Sequence, residues 1–452
     1  MDIQSVHHTF REKGIRKVKL GAFDIDGVFR GKYVSPEKFA SVAESGMSFC
    51  DVLFGWDVND ALYDRESLTG WHTGYPDTLA KIDLDTFRIV PWEPDTALFI
   101  MDLYTPDASP YPLSPRHLYK KLLDRAAQLG LQVRMSAEYE YFFFEENSHS
   151  IREKGYRDLK PLTPGMFGYS VVRASACSDL VHHIIDAMRD YDVEIEGIHT
   201  ETGPGVYEAA IRYDTGVRAA DKAALFKTGV KELAPRHGLI ATFMAKWNAD
   251  LPGCSGHIHQ SLWDLEGKAN QFSDPGAQND LSELARHYMA GQLALMPAMT
   301  ALVCPTINSY KRAVPGVWSP INVSWGVENR TAALRAIPGT SGQSTRVEYR
   351  LSGADINPYL AMAACLASGL YGIENHLDLP PPVSGNAYAD VGLPMLPGNL
   401  AAATDILNRS DAARTYLGDT FVDHYVMTRD YEVRLYEKAV TNWELQRYFE
   451  VI

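Results

Sequence analysis

The chain has 452 residues, 46% hydrophobic and 22% charged, an ordinary globular composition with length for one large domain beside a smaller one. Its formal net charge of −14 works against a nucleic-acid or anionic-membrane surface, since both demand basic patches, and leaves small molecules as the expected partners. The five cysteines at 50, 177, 254, 304 and 365 show no CxxC spacing, so neither a disulfide framework nor a thiolate metal site is expected and a reducing, cytoplasmic setting is.

In chain order, MDIQSVHHTFREKG is polar and lacks the apolar core of a signal peptide. Residues 15–23 and 28–34 read as strands around Asp26-Gly27, a strong hairpin dipeptide, inside a compact α+β unit. TPDASPYPLSP looks like a linker, which puts domain boundaries at 1–107 and 108–452. A helix follows, capped by Ser114, with Pro115 in its first turn, Leu118, Leu122, Ala126 and Leu129 on one face, and Gly130 ending it.

Residues 133–144 alternate as a strand does. Val133, Met135, Ala137, Tyr139, Tyr141 and Phe143 share one face, and Ser136, Glu138 and Glu140 share the other. The same pattern recurs with His199 and Glu201 before the turn Gly203-Pro204-Gly205, with Glu208, Ala210 and Arg212 after it, with His257, His259 and Ser261, and with Arg346, Glu348 and Arg350. Strands that each present acids, imidazoles or guanidiniums from one side predict a curved antiparallel sheet with a polar concave surface and helices behind it. The apolar stretches 288–305 and 359–373 are expected to be buried helices, because Gln292 and Pro297 interrupt the first and the second is too short to span a bilayer.

Glu138, Glu140, Glu201, Glu208, His257 and Glu348 on one sheet face would repel one another strongly unless cations neutralise them. Carboxylates with a single imidazole favour Mg²⁺ or Mn²⁺. Arg312, Arg330, Arg335, Arg346 and Arg350 form a second constellation suited to clamping phosphate or carboxylate. Metals and guanidiniums together are the equipment of phosphoryl transfer, and with neither GxxxxGK[ST] nor GxGxxG present, a P-loop or Rossmann mode is not expected.

AEYEYFFF (137–144), HTETGPGVYEAAIRY (199–213), SGHIHQSL (255–262), NSYKRAVPG (308–316), ENRTAALR (328–335) and RVEYRLSGADINPYLA (346–361) resemble, in order, the motifs of the glutamine synthetase superfamily. The resemblance covers essentially the whole chain. It implies a small β-grasp-like N-terminal domain and a large catalytic domain, assembled as hexameric rings, single or stacked as a dodecamer, with active sites between subunits. It also implies ATP and two or three Mg²⁺ or Mn²⁺ ions per site.

By the same resemblance Glu140, Glu201 and Glu208 would hold the metal on the substrate side, and Glu138, His257 and Glu348 the metal on the nucleotide phosphates. Arg312, Arg350 and Gly253 would bind glutamate, Arg330, Arg335 and Arg346 the phosphates, and Tyr213, His259 and Ser261 the nucleoside. Glutamate's γ-carboxylate would attack the terminal phosphate, and an amine would displace the resulting γ-glutamyl phosphate.

The departures are specific. Trp318 stands where ammonia-using members carry a catalytic glutamate, LFGWDVND replaces an FDGSS-like loop and leaves Asp57 as a shifted substitute, Pro252 replaces a loop asparagine, and Leu377 replaces a tyrosine that some members adenylylate. An indole neither attracts ammonium as a carboxylate does nor takes its proton. The expectation is therefore a γ-glutamyl amide ligase with an alkyl- or arylamine acceptor. The alternatives are ammonia-dependent glutamine synthesis with another base, or a catalytically inactive homologue with a structural role.

Overall fold

The dipeptide Asp26-Gly27 turns the chain as its composition requires: Gly27 adopts φ 78°, and Asp24 receives backbone N–H bonds from Asp26 (3.0 Å) and Val28 (2.8 Å). A computed structural model describes residues 1–452. The strands flanking this turn, β1 (Lys17–Phe23) and β2 (Phe29–Val34), pair antiparallel from Val18 opposite Val34 to Phe23 opposite Phe29. With β3 (Met47–Cys50), β4 (Asp77–Ile82), β5 (Arg88–Ile89) and β6 (Thr96–Tyr104) they form a mixed sheet, in which β1 and β6 run parallel at its centre. A helix at Ile3–Lys13, which polar composition alone did not suggest, lays Val6 and Phe10 on this sheet beside Phe39 of the helix Pro36–Ser45.

Alternation along the central strands divides their side chains between two apolar clusters. Val18, Leu20 and Ala22 of β1 and Ala97, Phe99, Met101 and Leu103 of β6 face the N-terminal helices. Phe23, Leu98 and Ile100 point the other way and join the main core. The two parts of the chain are thus packed together through one sheet.

The predicted helix after the linker runs Pro115–Gln128, with Ser114 accepting from His117 N and Gly130 at φ 78°. Leu118, Leu122 and Ala126 are buried. Leu129 is not: as the residue just past the helix its side chain turns outward, 44% exposed, in place of the core position expected for it.

The nine-stranded sheet contains β7 (Leu131–Phe144), β8 (Ile195–Thr200), β9 (Val206–Ile211), β10 (Asp214–Thr215), β11 (Ile240–Thr242), β12 (Gly256–Asp264), β13 (Trp325–Val327), β14 (Leu334–Ile337) and β15 (Arg346–Tyr349). The order is β13-β14-β15-β12-β7-β9-β8, with β10 and β11 also on β7. Every pairing is antiparallel except β13 with β14, which are parallel because the chain crosses from one to the other instead of turning back. From Val133 to Phe143 the alternate residues of β7 are buried, as their pattern predicted.

The back of the sheet is covered by helices, including Val217–Leu233, Glu283–Val303 and Pro358–Glu374. The last two are the apolar stretches, and both are buried. They cross at two glycines: a Cβ on Gly291 would lie 2.2 Å from Ser368 O and 2.4 Å from Gly372 N. Fully buried Gln292 donates to Gln260 of β12 (2.7 Å) and to Cys365 O (3.0 Å), tying both helices to the strand that carries the histidines. No helix is long and apolar enough to cross a membrane.

Candidate active site

Strand register builds the polar face in rows. Glu208 lies between His199 and Glu140, Glu138 between Ala210 and His257, and His259 between Ser136 and Glu348, with Arg335 beyond. Neighbouring strands are about 4.8 Å apart, so the rows bring carboxylates from three strands, β7, β9 and β15, within reach of shared cations. Three overlapping groups have ligand atoms all within 4.8 Å of one another: Glu138, Glu208 and His257; His199, Glu201 and Glu208; Glu138, His259 and Glu348.

The electrostatics follow from this crowding. Burial, and then the charges of Glu138, Glu140 and Glu201, push the Glu208 carboxyl up to about 10. Burial pushes Glu140 up to about 7 against the hydrogen bond from Ser255 N (2.6 Å). Burial resists ionisation of Glu138 too, but His257 and His259 at 3.3 and 3.5 Å outweigh it and hold that carboxyl well below the usual range. Glu348 goes down to about 2: burial opposes it, while His257, His259, Arg350 and Arg335 prevail. The His257 imidazole is pushed down by burial and by Arg350, which favours the neutral form a metal ligand requires. Hard oxygen donors, a neutral imidazole and mutual repulsion that a dication would relieve fit Mg²⁺ or Mn²⁺.

Beside the acids lies a cavity of about 400 Å³ that shares Glu138 and is lined by Tyr213, His259, Ser261 and Arg346. The residues read from sequence as nucleoside contacts therefore do surround one space. Arg346 donates to His259 Nδ1 (3.4 Å), and Ser261 accepts from Trp263 Nε1 (2.9 Å). Arg134, overlooked in sequence although it shares the exposed face of β7, stacks 3.8 Å over Trp263 in the same wall.

Arg312 is 2% exposed, bonds to Ser255 Oγ (3.1 Å) and Leu351 O, and has a buried Nε with no protein partner, a donor free for a carboxylate. Gly253 packs against it, since a Cβ there would come within 2.8 Å of the Arg312 side chain and 2.2 Å of Ala245 O. Arg350 pairs with Glu348 and donates to Arg330 O (3.2 Å), and Arg335 bridges Glu328 and Glu348 (3.0 Å). Arg330 is exposed and lines a second cavity of about 490 Å³ with Glu328, Asn329, Val327, Pro382 and Trp318.

Trp318 sits on that cavity's rim, 62% exposed, with φ 62°, a backbone state rare for a bulky residue. Asp57 is elsewhere: its carboxylate accepts from Asn59 N (2.8 Å) and Ala61 N (2.9 Å) within its own loop, and this chain does not bring it to the acidic cluster. His199, by contrast, belongs to the cluster although the sequence reading left it out of the site. It lies 3.3 Å from Glu201 and 3.4 Å from Glu208, and Tyr169 stacks on it at 4.2 Å. Its period-two spacing from Glu201 was the available signal.

The model of the glutamine synthetase catalytic domain matches residues 112–448. The chain belongs to the glutamine synthetase family. Its fold is the family's, a curved sheet backed by helices, and the family's ATP and divalent ions suit the cavity and the acidic rows. The chain is an enzyme of this kind, an ATP-dependent glutamate–amine ligase. Among its relatives are the type-1 glutamine synthetase 2 of Dictyostelium discoideum, 46% identical over 96% of this chain and 84% of that one, and the glutamate–isopropylamine ligase of a Pseudomonas species, 41% identical over 100% and 98%. The solved complex of GmaS with ADP superposes with a TM-score of 0.86 at 30% identity, covering 99% of each chain.

Proposed function

We propose that this ligase joins the γ-carboxylate of glutamate to a hydrophobic alkyl- or arylamine. The observation that carries this reading is the loop 313–320, AVPGVWSP, which holds no carboxylate and sets Trp318 at the rim of a cavity also walled by Val327 and Pro382. In a cavity otherwise lined mainly by polar residues, this rim offers an organic amine an apolar patch, and the loop offers ammonium no counter-ion. The one acid lining that cavity, Glu328, is already paired with Arg335.

Glu140, Glu201 and Glu208 are assigned to the cation near glutamate, and Glu138, His257 and Glu348 to the cation near the nucleotide, two or three ions in all. When bound, these ions supply Lewis-acid neutralisation of the phosphates. Arg312, with its free Nε, Gly253 and Arg350 orient glutamate, and Arg330, Arg335 and Arg346 offset the phosphate charge as γ-glutamyl phosphate forms. Tyr213, His259 and Ser261 line the nucleoside site. Residues 1–107 and 108–452 are taken as the two domains of a cytoplasmic ring assembly, in which Asp57 reaches the site of an adjoining subunit and takes the amine's proton.

The test is phosphate release from ATP and glutamate with ammonia, alkylamines, arylamines and polyamines. Turnover with a hydrophobic amine well above that with ammonia is expected. Turnover with ammonia alone would identify an ordinary glutamine synthetase, the activity named for the Dictyostelium relative, and turnover with none of them an inactive homologue.

A further inference from the structure

Away from the acidic rows, the helix Ser178–Asp190 meets the short turn that ends the helix Val217–Leu233, and the contact is between two imidazoles. His183 Nδ1 faces His237 Nε2 at 2.7 Å, with ring centroids 5.0 Å apart. Asp179 lies one helical turn before His183, on the same face, is exposed, and has no ion-pair partner. Its charge acts on His237, and both residues line a cavity of about 490 Å³ that opens to solvent beside the pair.

We propose that His183, His237 and Asp179 form a site for a borderline-soft divalent cation, Zn²⁺ or Ni²⁺, separate from the catalytic ions. With metal–nitrogen bonds of about 2.0–2.1 Å, two tetrahedral imidazole ligands stand roughly 3.3–3.4 Å apart. The pair therefore needs only a small rotation of rings that are half-buried and supported on helical backbone, and Asp179, whose carboxylate does not lie within 4.8 Å of both imidazoles, must swing inward from its exposed position to join them. Two imidazoles with one carboxylate select zinc or nickel over magnesium, the reverse of the carboxylate-rich rows. The cavity on the Asp179 and His237 side gives water access for the fourth position. An ion there would clip the helix Ser178–Asp190, which leads directly into β8 and its His199, to the helix Val217–Leu233 on the back of the sheet.

The test uses the full-length protein under saturating Mg²⁺, with zinc followed by equilibrium dialysis and melting temperature by calorimetry. The expected result is one more zinc per chain in the native protein than in the double variant His183→Ala/His237→Ala, and a zinc-dependent rise in melting temperature that the variant lacks. Asp179→Asn, which disturbs no internal hydrogen bond, weakens that zinc about tenfold or more. If the double variant fails to fold, His237→Asn and Asp179→Asn carry the same reading. Equal zinc content and affinity in native and variant chains would overturn the proposal and leave the pair as a hydrogen bond that ties two helices.

Discussion

The acidic rows and the Trp318 rim lie in the same molecule and were reached by different means. The rows come from neighbouring strands in fixed register, so the carboxylates on β7, β9 and β15 have positions dictated by backbone pairing; Glu208 between His199 and Glu140 is an example. The rim comes from loops at 279, 318, 328–331 and 382–385 that are remote in sequence and held mostly by turns. Rigid pairing suits chemistry that tolerates little displacement, and loops suit a choice of acceptor that can change without disturbing it.

The strongest way to break this contrast is Glu208→Gln, which removes a carboxylate from two of the three ligand groups. It should lower ATP turnover with every amine by ~10³-fold or more, to a similar degree, in a phosphate-release assay. Selective loss with one amine would mean that the rows also choose the acceptor. Next comes Arg350→Ala, which leaves Glu348, 1% exposed, short of a cationic partner. It is expected to destabilise the fold by about 3–5 kcal/mol in urea titration as well as to impair activity.

Trp318→Glu, at a largely exposed side chain, should leave stability within about 0.5 kcal/mol while shifting the ratio of ammonia to bulky-amine turnover by about tenfold toward ammonia. An unchanged ratio would take Trp318 out of the acceptor site. The smallest effect concerns the loop after Asp57, which Ser67 fastens to His424 Nδ1 at 2.9 Å. Burial, and then Arg429, push the His424 imidazole down to about 3, so from pH 6.5 toward 3 the unfolded chain takes up a proton that the folded chain refuses. Stability from this group is complete above pH 6.5 and is lost as pH falls through that window. His424→Asn should flatten the corresponding part of a stability–pH curve and leave the profile above pH 7 in place.

What could be read from sequence follows the same division. The faces of β7 were legible because a period of two assigns each residue to one side, and a serine and two glutamates on the outward side are hard to explain as packing. The register that sets His257 opposite Glu138 was not legible, since nothing local to either strand specifies it. Leu129 was misplaced because helix periodicity does not reveal which residue is the last helical one. The N-terminal helix escaped notice because Val6 and Phe10 are its only fully buried side chains. The parallel pair β13 and β14 contributes three residues per strand to the register, too few for a pattern. Trp318 could be singled out as a substitution, but its surroundings depend on segments far along the chain.

Strand β6 is a wall with a tenant on each side: Phe99 and Met101 live with the N-terminal helices, and Leu98 and Ile100 with the main core. Inserting one residue near Ala97 would make these neighbours trade places along the rest of the strand, injuring both interiors in a single stroke. Variation in its length is thus barred from two directions, and the small sheet has no freedom to drift apart from the body that it closes.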